Sequence, residues 1–456
     1  MNARFKPWLD ELVAVIALGW PIVFTNLAIN FMTTTDVMMM GWLSPQALGS
    51  VSLGFNVYTP LMLFSVGAVG AAAPLAAARI GANARDRDGV RRVAQHAFLL
   101  ALLLCLPIWA LLWNAEALLR AIGEPPELAA LAGRYMHGLQ WALAPTLLFN
   151  AARGVFAALE RTRPILIAAL VGVGCNALSN YAIGLGHFGF PQLGVLGSGL
   201  STTISQVVML GVLVFYAWLD ERIRAAKLLA RPFRFDPRAL ADLWRLGAPI
   251  GLSITVEIGL FAAAALAMGL ISQDAIEAHA IVIQIAATTF MVPLGLGQAA
   301  SVRVGNAFGA RDRARVSRAG WSAFAATMAF VTLSAAIMFA FPHQLIAPFL
   351  GGGDVAARAG VIALALSFLK VAAWFQLFDG AQAALVNMLR GLHDSRIPAL
   401  IATAGYWAIG APIGFALGFG TKLQGLGLWI GLAIGLAAVS LMLFLRWRLR
   451  ERAGFF

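Results

Sequence analysis

Along the chain, apolar residues gather in twelve long runs separated by short polar stretches. These runs predict helices over about 10–40, 46–78, 91–114, 127–157, 162–184, 193–219, 238–269, 275–305, 316–341, 355–389, 396–420 and 424–448. At 1.5 Å of rise per residue, runs of this length cross the roughly 30 Å of hydrocarbon in a bilayer. The first run is too long for a cleaved leader and is expected to stay as the first spanning helix. Pro21, Pro60, Pro107, Pro145, Pro249 and Pro293 lie inside runs. Each frees a carbonyl one turn back, which neighbouring helices or water can satisfy, so bends are expected there. Pro21, upstream of the first buried acid, is a candidate gate.

Composition fits this pattern and narrows it. Hydrophobic residues make up 60% of the chain and charged residues 12%, with a mean hydropathy of +0.81. That is far too apolar for a soluble domain, so the chain is read as an all-α integral membrane protein. The net charge of +12 does not indicate a nucleic-acid partner, because the basic residues sit in short connections. Counted in alternate connections, Lys and Arg number 28 on one side, Arg153 and Arg390 among them, and 4 on the other, namely Arg120, Arg134, Arg358 and Lys422. The positive-inside rule then places both termini in the cytoplasm. Cys105 and Cys175 fall within apolar runs and read as free thiols.

The chain also repeats itself. A shift of 228 residues lays Leu18-Gly19-Trp20-Pro21-Ile22 on Leu246-Gly247-Ala248-Pro249-Ile250, and Met40-Gly41 on Met268-Gly269. It also carries Gly81-Ala82, Arg85 and Arg87 onto Gly309-Ala310, Arg313 and Arg315. Two six-helix lobes follow, 1–219 and 238–456, in a parallel repeat about an axis along the membrane normal. Between them, 220–237 reads as a cytoplasmic linker, carrying Asp220, Glu221, Arg222, Arg224, Lys227, Arg231 and Arg234. Such lobes can rock about a central cavity.

Against this apolar background three acids stand out. Asp36 lies in the first run among Thr, Val and Met, and Glu257 and Asp379 are placed likewise. An ionised carboxylate at membrane depth costs several kcal/mol unless it faces a cavity or a partner, so these acids are the candidate machinery of an ion-coupled transporter. Asn26, Asn30 and Thr33 project to one face of the first helix, with Asp36 about a quarter turn away. Lys370 projects about half a turn from Asp379, and so snorkels or answers an acid on another helix. Met32, Met38, Met39, Met40, Phe31, Phe55, Phe261, Phe290 and Met291 are candidates to line an adaptable cavity.

The chain resembles multidrug and toxic compound extrusion (MATE) transporters, specifically the NorM-type bacterial branch. The resemblance rests on Asp36 before Met40-Gly41, Arg79-Ile80-Gly81-Ala82, and Glu257 within Ser253-Ile254-Thr255-Val256-Glu257. It also rests on Asp379 upstream of Leu389-Arg390-Gly391 and Asp394-Ser395-Arg396. It implies a first-lobe coupling site of Asp36, Asn176, Asn180 and Thr202, and a second-lobe site of Glu257 and Asp379. One carboxylate, two amides and a hydroxyl form an all-oxygen set suited to Na⁺. Where the family often has a tyrosine one turn before the second acid, this chain has Phe375.

The expected function is secondary active efflux of cationic or aromatic compounds in exchange for Na⁺ or H⁺. The protein is expected to act as a monomer in the bacterial cytoplasmic (inner) membrane, among its lipids, with no cofactor. Two other classes fit the residues less well. A flippase for a lipid-linked saccharide would need buried cations for pyrophosphate, whereas the buried charges here are mostly acids. An intramembrane lipid-modifying enzyme finds no serine elbow, and the six histidines form no helical ligand pair. No Gly-Lys dipeptide occurs, so a phosphate loop for ATP is absent from the sequence.

Overall fold

The computed structural model describes residues 5–226, 228, 233–350 and 358–454. Among the described residues the regular structure is helical. The long elements are α1 (Lys6–Leu43), α2 (Pro45–Ala82) and α3 (Arg87–Trp113). Next come α4, assembled from Pro126–Leu139, a 3₁₀ turn Gln140–Ala142 and Leu143–Ala158, then α5 (Arg163–Gly184) and α6 (Val195–Leu219). The second set is α7 (Pro237–Ile271), α8 (Gln273–Gly309), α9 (Arg313–Ala340), α10 (Ala359–Gly391), α11 (Arg396–Gly420) and α12 (Gly425–Arg452). Eleven of these are single helices long and apolar enough to cross a membrane. The fourth is split by its 3₁₀ turn into pieces of 14, 3 and 16 residues. Pro145 cannot donate to the Trp141 carbonyl, and the indole N–H of Trp109 takes the neighbouring Gln140 carbonyl at 2.7 Å. Lys227 and Arg231 of the linker, and the expected start of the tenth span at 355, lie outside the described residues.

Helix starts repeat between the halves. Ser44 and Ser272 stand in extended backbone before α2 and α8, and each accepts from the N–H three residues on at 3.0 Å. Asp86 and Asp312 cap α3 and α9 in the same manner, each at 2.9 Å. Large apolar side chains such as Leu106, Trp218, Leu266 and Leu270 stand exposed. A soluble protein would bury them, whereas a bilayer replaces the water.

The chain packs as two compact units, one of Met1–Val23 with Leu252–Phe456 and the other of Phe24–Gly251. These units differ from the six-helix lobes 1–219 and 238–456, because their boundaries fall inside α1 and α7. The crossing points Val23/Phe24 and Gly251/Leu252 are themselves related by the 228-residue shift, and each lies two residues after Pro21 or Pro249. Within the second unit, the first part of α7 lies directly on α2. A Cβ on Gly247 would meet the Ala68 carbonyl oxygen at 2.0 Å, and one on Gly251 the Phe64 oxygen at 2.3 Å. In the first unit the start of α1 lies on α8, where a Cβ on Gly295 would meet Val23 at 2.5 Å. Glu11 holds Arg303 there through two hydrogen bonds of 2.7 and 2.9 Å. Pro21 stays within a continuous helix.

Candidate functional site

In the second unit, Asp36 of α1 is buried to 1% exposure. The amide Nδ2 of Asn180 donates to its Oδ1 and the hydroxyl of Thr202 donates to its Oδ2 at 3.0 Å. Asn176, one turn before Asn180 on α5, flanks the same carboxylate. The four residues expected to form the first-lobe site are thus together and buried.

Local backbone explains how. From Asn180 to Gly184 the helix widens into a π turn, with the Leu185 N–H donating to the Asn180 carbonyl at 3.0 Å. π segments are frequent at functional sites because they re-aim side chains. Gly184 and Gly197 let α5 and α6 meet closely, since a Cβ on Gly197 would lie 2.6 Å from the Ile183 oxygen. A Cβ on Gly184 would crowd Asn180 Oδ1 at 3.1 Å.

Several buried oxygens here lack a hydrogen-bond partner among the described residues, namely Asn176 Oδ1, Asn180 Oδ1 and Ser198 Oγ. Leaving such a group unsatisfied costs about 1–3 kcal/mol, so a cluster of them beside a carboxylate fits a cation that supplies the missing interactions. Ser198 was not among the expected residues. Its spacing of four before Thr202 places it on the same face of α6 and would have pointed to it.

The polar stripe on α1 does not form a single face. Asn26 and Asp36 are buried while Thr33 is exposed. Asn26 accepts from Nη2 of Arg153 at 2.7 Å. Arg153, counted above in a connection, lies inside α4.

In the first unit, Glu257 of α7 and Asp379 of α10 lie close enough to interact electrostatically. Gln382, one turn beyond Asp379, lies beside Glu257 and Tyr406. Arg390 neighbours Glu257 and donates to Ser253 Oγ at 3.1 Å. It too was assigned to a connection, and it lies within α10. Removing both arginines from the loop count leaves 26 against 4 (28 minus 2), so the bias survives.

The fully buried Phe375 ring packs edge-on against Phe261 and Trp429, with centroids 6.1 and 5.7 Å away. The hydroxyl near the acid pair comes instead from Tyr406, in the π segment Ala404–Gly410 of α11. Its buried oxygen, like Asp379 Oδ1 and Gln382 Oε1, has no hydrogen-bond partner among the described residues. No helical spacing points to it, because Tyr406 and the acids lie on different helices. Lys370 is exposed and forms no ion pair among the described residues, as a snorkelling lysine would. Of the cavity candidates, Met32, Met39 and Met40 are core residues, while Phe31 and Met38 are exposed.

A family model, MatE, matches residues 21–182 and 249–416. The two matched stretches begin 228 residues apart (249 minus 21), the offset of the sequence repeat. The chain belongs to the MatE family. A probable multidrug resistance protein NorM of Mesorhizobium japonicum is 45% identical over 98% of this chain and 95% of its own length. Another so named, from Brucella suis, is 42% identical over 98% and 94%. A MATE protein crystallised in complex with MaL6 superposes with a TM-score of 0.88 at 21% identity, covering 97% of each chain. That likeness establishes the MATE fold, twelve helices in two halves, for this multi-pass membrane protein.

Proposed function

We propose that this protein is a secondary multidrug efflux transporter. It exports cationic or aromatic organic compounds in exchange for Na⁺ or H⁺ by alternating access. The observation that carries this reading is the pair of acid sites with unpartnered oxygens among the described residues, one around buried Asp36 and the other around buried Asp379 and half-buried Glu257. A buried negative charge is stabilised by whichever cation reaches it, so coupling ion and cargo compete for it. Competition alone moves nothing. Transport requires ion and cargo to prefer different arrangements of the two halves.

In the N-terminal site, Asn180 now donates through Nδ2. To ligate Na⁺ it turns Oδ1 inward, and Asn176 and Thr202 add neutral oxygens. Such ligands are of little use to a bare proton, which favours Na⁺ at this site. In the C-terminal site the carboxylates of Glu257 and Asp379 hold the cation, with Tyr406 and Gln382 completing its shell. Pro21, beside the point where α1 passes between packing units, is the proposed gate. The protein acts as a monomer in the bacterial cytoplasmic membrane with both termini inside.

The test is ethidium or norfloxacin efflux from cells expressing Asp36→Asn, Glu257→Gln or Asp379→Asn. Each substitution is expected to lower efflux at least about tenfold, the equivalent of 1.4 kcal/mol. Efflux at the parent rate in all three would end the proposal.

A further inference from the structure

The coupling scheme leaves Arg390 without a role. Asn387-Met388-Leu389-Arg390-Gly391 on α10 repeats the pattern Asn150-Ala151-Ala152-Arg153-Gly154 on α4. In both, the asparagine Nδ2 donates to a carbonyl one turn back at 2.9 Å, Asn150 to Thr146 and Asn387 to Ala383. In both, the arginine Nη2 reaches the first helix of its own half, Arg153 to Asn26 and Arg390 to Ser253. The motif recurs, one turn nearer the helix end on α10 than on α4, and what surrounds the guanidinium differs.

Asn26 is ten residues from Asp36, about 15 Å along α1, so the Arg153 contact lies well away from that acid. Ser253 is one turn from Glu257, which brings the Arg390 guanidinium beside a carboxylate. On α10, Asp379 and Arg390 are eleven residues apart, on nearly the same face and about 16 Å apart along the axis. Glu257, which neighbours both, stands between them. No direct ion pair joins Arg390 to Glu257 among the described residues, so the carboxylate stays available to a ligand.

With both acids ionised, as when a cation is bound, two carboxylates and one guanidinium sum to a single negative charge. We propose that Arg390 holds the C-terminal acid site at a net charge of −1 and thereby selects single positive charges, inorganic or organic, against dications. A monocation neutralises such a site, whereas a dication leaves an unpaired positive charge in low dielectric. Without Arg390 the site carries −2 and favours the dication. This inference rests on the reading that the acid pair binds cations.

Ethidium and propidium provide the test, because they share one ring system and differ by an added quaternary ammonium charge. Binding of each dye is measured by fluorescence on full-length protein in nanodiscs, in an Asp36→Asn background that removes the other acid. Arg390→Gln is expected to move the ratio of the two Kd values at least about tenfold towards propidium. Arg390→Lys, which keeps the charge, is expected to leave that ratio within about twofold. A purely structural arginine would weaken both dyes alike, and an unmoved ratio in Arg390→Gln overturns the proposal. Should Arg390→Gln fail to accumulate, Glu257→Gln alone is compared with Glu257→Gln plus Arg390→Gln. The double variant restores −1 and is expected to bind ethidium about tenfold tighter; equal or weaker binding overturns the proposal. If the background protein binds neither dye, the efflux reading of the acid pair fails instead.

Discussion

The two halves share a scaffold and differ in chemistry. The 228-residue shift lays Pro21 on Pro249, Gly19 on Gly247 and Gly67 on Gly295, and the same helix contacts recur. Yet it lays Asp36 on Ala264 and Glu257 on Ile29. One half surrounds a single acid with amides and hydroxyls. The other sets two acids beside a guanidinium, a glutamine and a tyrosine. Backbone packing was preserved while the charged groups were placed independently, so each half presents its own cation chemistry on one architecture.

The strongest way to strain this comparison is to substitute equivalent glycines. Gly247→Val drives a side chain into the backbone oxygen of Ala68, with the first added carbon only 2.0 Å away, and is expected to cost upwards of about 3 kcal/mol. Gly19→Val meets instead the movable end of Leu296 at 3.0 Å, and the expected cost is about 1 kcal/mol. Thermal unfolding in detergent reads both. A similar loss in the two would mean that the repeated contacts are not graded as described.

Next in size is Asn176→Ala. Its amide flanks Asp36 but forms no geometrically complete hydrogen bond among the described residues, so stability should change by less than about 1 kcal/mol. Na⁺-driven efflux should fall about tenfold, equivalent to 1.4 kcal/mol of lost ion binding. Tyr406→Phe and Phe375→Tyr form a reciprocal pair. Removing the Tyr406 hydroxyl, unpartnered among the described residues, should leave stability within about 0.5 kcal/mol while weakening cation binding severalfold. Adding a hydroxyl to Phe375, between Phe261 and Trp429, should cost about 1–3 kcal/mol of stability. Were Phe375→Tyr instead to tighten cation binding without that cost, the hydroxyl of the site would belong on α10. Smallest of all, Lys370→Met should change neither unfolding by more than about 0.5 kcal/mol nor efflux.

Much of this was legible in the chain because membranes impose severe constraints. Long apolar runs have few alternatives, and Asp36, Glu257 and Asp379 stand out where charge is costly. The four N-terminal site residues were implied together by the family resemblance, and the spacing of Asn176 and Asn180 on one helix face agrees with it. The rest depended on local events that periodicity does not register. Arg153 and Arg390 sit near helix ends, where a charge reads as a loop residue until its buried partner is known. The 3₁₀ turn at Gln140–Ala142 needed Trp109 from another helix, and Tyr406 is aimed by a π segment before Pro412. Packing that exchanges the starts of α1 and α7 follows from helix contacts far apart in sequence, not from the repeat itself.

The claim at the centre is that buried carboxylates alternate between an inorganic ion and an organic cation. Its most direct test is ethidium efflux from proteoliposomes with a Na⁺ gradient and a pH gradient imposed one at a time. The account predicts dye movement driven by Na⁺ that Asp36→Asn abolishes. Undiminished movement in a variant combining Asp36→Asn, Glu257→Gln and Asp379→Asn would contradict it.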